Sequence, residues 1–252
     1  MSNPTEALRS STEHLRDIVE SLDAEQLRAP AYPTEWTIAD ALSHLGSGAV
    51  IFVRSVDDAL NDTPTPGDFS RSVWNEWDAK SPDDQAADVL VADRALVARV
   101  DDLSAADRGK IKISLGPFAL DFDQYLGLRL NEHVLHTWDV EVVLDPNAVL
   151  PDDAVDALLA NLGMIASFAA KPTGAEGNYV LKTFDPERTY TVNLSADSVK
   201  TVEGSSGEPV NVELPAEAFI RLVCGRLDPD HTPSSVTGTE DLVALRQVFP
   251  GF

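Results

Sequence analysis

The sequence predicts an α plus α+β chain of two domains: a helical bundle over residues 1–170, built from four main helices plus one, and a small α+β domain over residues 171–252. Three observations predict it. Apolar residues recur at three- and four-residue spacing through the first two-thirds of the chain, as in amphipathic helices. At "KPTGAEGN" glycines and a proline cluster and the texture changes. Beyond it, "YVLKTF", "TYTVNLS", "SVKTVEG" and "VNVEL" alternate or favour β-branched residues, as strands do.

The first helix covers residues 5–22, with Leu8, Leu15, Ile18, Val19 and Leu22 at helical spacing. Prolines in "APAYPTEW" break the chain, and Thr37 with Asp40 gives a capping-box start to a second helix that runs to about Leu60. "NDTPTPGDFSRS" is rich in turn formers and predicts a loop, followed by a short aromatic stretch, "VWNEWDAK". Ser81 caps a third helix that has Pro82 in its first turn and acids near its positive end. "KIKISLGPF" predicts extended chain, "DFDQYLGLRLNEHVLHTWDVEVVL" a fourth helix ended by "DPN", and "DDAVDALLANLGMIASFAA" a fifth. Two short helices, at about 215–224 and 239–248, complete the second domain.

Charge and composition narrow the function. The 42 acidic residues against 19 basic ones give a formal net charge of −23, which repels phosphate backbones and anionic lipid and argues against nucleic acid and membrane as partners. No apolar run approaches the length of about 18 residues that a bilayer span needs. The acidic, amphipathic start "MSNPTEALRSSTEHLRDIVE" is unlike a signal peptide, so a cytoplasmic protein is expected. The lone Cys224 rules out an intramolecular disulfide and a cysteine-based zinc cluster, and inside "AFIRLVCG" it is expected to be buried and inert. Phosphate loops, dinucleotide glycine motifs and serine nucleophile elbows are missing from the sequence.

The informative stretch is "LNEHVLHTWDVEVVL". Glu132 and His136 stand four apart, about 40° from each other around a helix axis and one turn along it, so both can address one ion. His133 and His136 form a rival pair three apart, and spacing does not choose between them. A third donor is available on the second helix, where "WTIADALSHLGSGAVIF" sets His44 among small residues. Ala41, Gly48 and Ser55 share its side of that helix, near Ile51, and predict a cavity there. Facing helices of a bundle build metal sites from inward-pointing side chains. Two histidines and one carboxylate suffice as ligands and leave a fourth tetrahedral position open. Trp36 reads as a hydrophobic staple for the second helix, and Trp74 with Trp77 as a plug at the bundle end.

These motifs resemble the mycothiol-dependent maleylpyruvate isomerase family, whose fold is a DinB-like metal-binding helical bundle with a small C-terminal domain. "PTEWTIADALSHL" is similar to its N-terminal signature, "LNEHVLHTWDVEVVL" to its second, and "VELPAEAFIRLVCGRLDPD" through "VTGTEDLVALRQVFPGF" to its C-terminal domain. The resemblance implies that His44, Glu132 and His136 bind a divalent metal, zinc, and that His133 is a neighbour instead of a ligand. It implies a supporting role for Asp139 and an active-site role for Arg226. It further implies that mycothiol, a small thiol, enters the open metal position as a thiolate nucleophile. The activity expected is that of an S-transferase or a cis–trans isomerase acting on an electrophilic small molecule, in a monomer or weak dimer. The alternatives are a metal-binding or ligand-sensing module without catalysis, and a metal-assisted hydrolase.

Overall fold

The computed structural model describes residues 3–116 and 118–251. The chain divides between Ala148 and Val149 into two compact units.

In the N-terminal unit, α1 (Pro4–Val19), α2 (Ile38–Leu60), α4 (Pro82–Asp101) and α6 (Phe122–Glu141) are the long helices. They pack in a closed ring, α1 against α6 and α4, and α2 against α4 and α6. Leu8, Leu15, Leu42, Leu45, Val89, Leu96, Leu126 and Leu130 are buried at its centre. Local chemistry sets where each helix begins. The Thr37–Asp40 capping box opens α2, Ser81 accepts from the Asp84 amide with Pro82 in the first turn of α4, and an Asp121–Gln124 capping box opens α6. β1 (Lys112–Leu115) and β2 (Phe118–Asp121) form a small antiparallel pair that delivers the chain into α6.

One segment departs from expectation. The stretch read as a loop followed by an aromatic run is helical from Phe69, as α3 (Phe69–Asp78), and α3 packs on α2. Tertiary packing supplies what the local sequence does not. Trp77 is buried against the backbone of Gly46, where a Cβ would lie 2.1 Å from the indole ring, and the Lys80 ammonium sits 3.7 Å from the centroid of that ring. Trp77 is thus a plug, whereas Trp74 is 48 % exposed. A further helical turn, α5 (Ala105–Arg108), precedes β1.

The C-terminal unit holds α7 (Asp152–Ala169), the strands β3 (Gly177–Phe184), β4 (Arg188–Ser195), β5 (Ser198–Glu203) and β6 (Val212–Pro215), and the helices α8 (Ala216–Val223) and α9 (Thr239–Val248). The strands form one sheet in the order β5-β4-β3-β6, antiparallel except for the parallel β3–β6 pair. The four strands and two short helices lie where the alternation placed them. The boundary does not lie at 170, because α7 buries Leu158, Leu162, Ile165 and Ala166 and packs on α8 and β5. The fifth helix therefore belongs to the second unit. Cys224 is fully buried. Among the described residues no helix is long and apolar enough to cross a membrane.

Gly46→Ala tests the α2–α3 contact through its sign. Alanine is the better helix former by about 1 kcal/mol, yet its methyl would overlap the Trp77 ring, and overpacking a core costs about 1–3 kcal/mol. A lowered denaturation midpoint is expected. A raised one would show that Trp77 does not press on Gly46.

Candidate metal centre

The site grows out of two helices. On α6, the four-residue interval brings Glu132 Oε2 and His136 Nε2 to 3.6 Å, and from α2 His44 Nε2 reaches to 3.0 Å from the same Oε2. The donor atoms of all three residues lie within 4.8 Å of one another. The two imidazole rings meet edge to face, with centroids 4.6 Å apart. The side chains of His44 and Glu132 are 35 % and 44 % exposed, so a small molecule can reach the donors.

Support for this arrangement comes from behind it. His136 Nδ1 stands 2.8 Å from Oδ2 of Asp139, whose side chain is wholly buried. A carboxylate accepts only, so Nδ1 donates to Asp139, and Nε2, on the side facing Glu132, is the nitrogen that a bound metal would take. The Asp139 carbonyl in turn accepts the Tyr32 amide at 3.1 Å, which ties the segment before α2 to α6. Trp36 lies over both histidines, with its ring 5.5 Å from that of His136 at 27° and 5.2 Å from that of His44. Burial pushes the Glu132 carboxyl up, but hydrogen bonds with His136 and His44 outweigh it and hold the group well below the usual carboxylate range. Glu132 is therefore ionised at neutral pH, the state a ligand requires.

Donor chemistry decides whether these residues fit a divalent metal. Two imidazole nitrogens and one carboxylate oxygen are borderline and hard donors of the kind that zinc accepts. They converge from two helices, and one of them has its tautomer set by a buried carboxylate. The donor set fits.

The two rival pairs on α6 have separated. His133 is fully buried and points elsewhere: its Nε2 stands 3.1 Å from Asp93 Oδ2 on α4, and its Nδ1 stands 2.7 Å from the Ser11 hydroxyl of α1. It ties three helices together away from the other donors. Beside His44, where Gly48, Ile51 and Ser55 stay partly exposed, the Arg129 guanidinium lies over Gly48 and the Tyr125 hydroxyl bonds Ser55.

Arg226, in the C-terminal unit, is nearly buried and donates from one terminal nitrogen to the Cys224 carbonyl at 2.9 Å. Sequence reasoning gave Trp36 only a capping role and did not single out Arg129. A tryptophan immediately before the cap of the His44 helix was the signal for the first. A glycine one turn beyond His44 was the signal for the second.

Comparison with known proteins came to three findings. Residues 8–141 match the family model described as mycothiol maleylpyruvate isomerase N-terminal domain, a span that contains His44, Glu132 and His136. Two crystal structures of the mycothiol-dependent maleylpyruvate isomerase, one of them of a point mutant, superpose with a TM-score of 0.65 over 88 % of this chain and 88 % of theirs, at 15 % and 14 % identity. That likeness is one of fold. No curated protein matches the sequence.

Metal analysis of two neighbouring variants separates the histidines. His136→Ala is expected to lose bound zinc. His133→Ala is expected to retain it, while losing on the order of 2–3 kcal/mol of stability as Asp93 and Ser11 lose a buried partner. The reverse pattern of zinc content would overturn the assignment.

Proposed function

The chain belongs to the mycothiol maleylpyruvate isomerase N-terminal domain family, and from that premise we propose that it is a divalent-metal-dependent enzyme in which mycothiol thiolate either displaces a leaving group, as in an S-transferase, or adds to and departs from an activated alkene, as in a cis–trans isomerase. The observation that carries this reading is the convergence of His44, Glu132 and His136. Zinc suits the donors, and when bound it supplies the Lewis acidity that keeps a thiol deprotonated at neutral pH.

The chain's own residues do the rest. Three protein donors leave room in a tetrahedral arrangement for one further donor. Asp139 holds the Nδ1 proton of His136 and so prevents the ring from turning its other nitrogen toward the ion. Glu132 brings one negative charge, which with two neutral imidazoles leaves a divalent site net positive and attractive to an anionic sulfur. Trp36 stacks on His136 and approaches His44, and so limits how far either ring can swing. Because Cys224 is buried in the C-terminal unit, the thiol in this reading comes from the cosubstrate. Arg226 is assigned by the same proposal to a substrate carboxylate, through the planar fork that a guanidinium offers.

The test is turnover of mycothiol by zinc-loaded protein with chlorobimane, a general thiol-trapping electrophile, and with maleylpyruvate. Thiol consumption or isomerisation is expected in the wild type, with a loss of at least about 100-fold in His44→Ala, about 2.7 kcal/mol of barrier. Absence of both turnover and mycothiol binding in the zinc-loaded protein would sink the proposal and favour a non-catalytic metal module. Arg226→Lys keeps the charge but not the fork. It should raise KM for maleylpyruvate and leave chlorobimane unaffected; equal effects on both would remove Arg226 from substrate recognition.

A further inference from the structure

Arg129 is a buried cation in the interior of the bundle, only 5 % exposed, on α6 one turn before Glu132. Its contacts run toward α2. One terminal nitrogen donates to the carbonyl of Leu45 at 2.8 Å, the residue after His44. The other terminal nitrogen lies where a side chain at Gly48 would begin, since a Cβ there would stand 2.7 Å from it. The nitrogen that bonds Leu45 also lies 3.6 Å from Asp93 Oδ1, and Asp93 Oδ2 stands 3.1 Å from His133 Nε2. The Nε of Arg129 and Oδ1 of Asp93 have no hydrogen-bond partner among the described residues. A charge so placed is costly to bury, and its polar contacts are too few to make it a simple stabilising pair.

What the guanidinium does contact is the backbone beside a ligand. It bridges α6 to α2 at the level where His44 Nε2 comes within 3.0 Å of Glu132 Oε2. Metal–ligand distances are matched to within about 0.2 Å, so the separation of α2 and α6 at this level bears on whether all three donors reach one ion.

We propose that Arg129 is a positioning residue for the metal centre, setting the separation and register of α2 against α6, and that Gly48 is the seat that admits it. The proposal rests on the metal reading of His44, Glu132 and His136. His133 and Asp93 then form the backing of the guanidinium, which gives the histidine demoted from the ligand set a place behind the site.

Gly48→Ala tests this without touching a ligand or a charge. Alanine is the better helix former, so the variant should fold, but its methyl displaces the guanidinium. Zinc affinity, measured by chelator competition, is expected to fall by at least about 10-fold, the lower end of what losing an outer support costs. The visible spectrum of the cobalt-substituted protein should change with it, which general loosening of the fold would not produce in a protein whose melting is unaltered. The same glycine substitution in an Arg129→Met background should cost nothing further, since the two act through one contact.

A folded Gly48→Ala protein with wild-type zinc affinity and cobalt spectrum overturns the positioning role and leaves the metal centre standing. If Gly48→Ala does not fold, its rescue by Arg129→Met supports the seat, and failure to fold in both backgrounds overturns it. Wild-type protein that binds no zinc defeats the metal reading first, and this proposal with it.

Discussion

The approach of α2 to α6 is the contact on which the candidate centre depends. Helix α6 by itself supplies Glu132 and His136, because four residues make about one turn. It also supplies Asp139, which orients His136. The third donor is a tertiary fact: His44 lies 88 positions away in sequence and meets Glu132 at 3.0 Å only because two long helices pack side by side. Everything that holds those helices at that spacing acts on the centre.

Two glycines in the interior of α2 show how that spacing is reached. Each costs about 1 kcal/mol against alanine in a helix, and the cost has a different purpose at each. Gly46 lets Trp77 of α3 rest on the helix backbone, and Gly48 makes room for the Arg129 guanidinium of α6. Small residues near His44 therefore admit large side chains from two neighbours. Buried polar groups follow the same design: Ser11, Asp93 and His133 link α1, α4 and α6 in the bundle interior, where apolar residues of similar volume would pack without specifying a register.

Much of this was legible in the sequence. Capping residues marked the starts of α2 and α4, and alternation or β-branched residues marked all four strands of the C-terminal sheet, because these signals are local. The domain boundary was not, since which unit α7 joins depends on the partners of Leu158 and Leu162 and not on its own amphipathicity. The helix α3 was hidden for a similar reason: turn formers precede it, and the contact that stabilises it, Trp77 on Gly46, spans 31 positions. At the site, spacing offered Glu132 and His133 equally as companions of His136. The structure separates them through Asp93 and Ser11, which draw His133 into the bundle. Trp36 and Arg129 make a ring stack and a bond to a backbone carbonyl, contacts that a single tryptophan before the cap and a single glycine in α2 signal without forming a motif.

X-ray absorption at the zinc edge of the loaded protein tests the metal centre most directly, because it reads the ligand shell itself. The structure predicts nitrogen and oxygen donors at about 2.0–2.1 Å, with outer-shell scattering from two imidazoles and none from sulfur in the absence of added thiol. A shell with one or three imidazoles, or a sulfur contributed by Cys224, would contradict it.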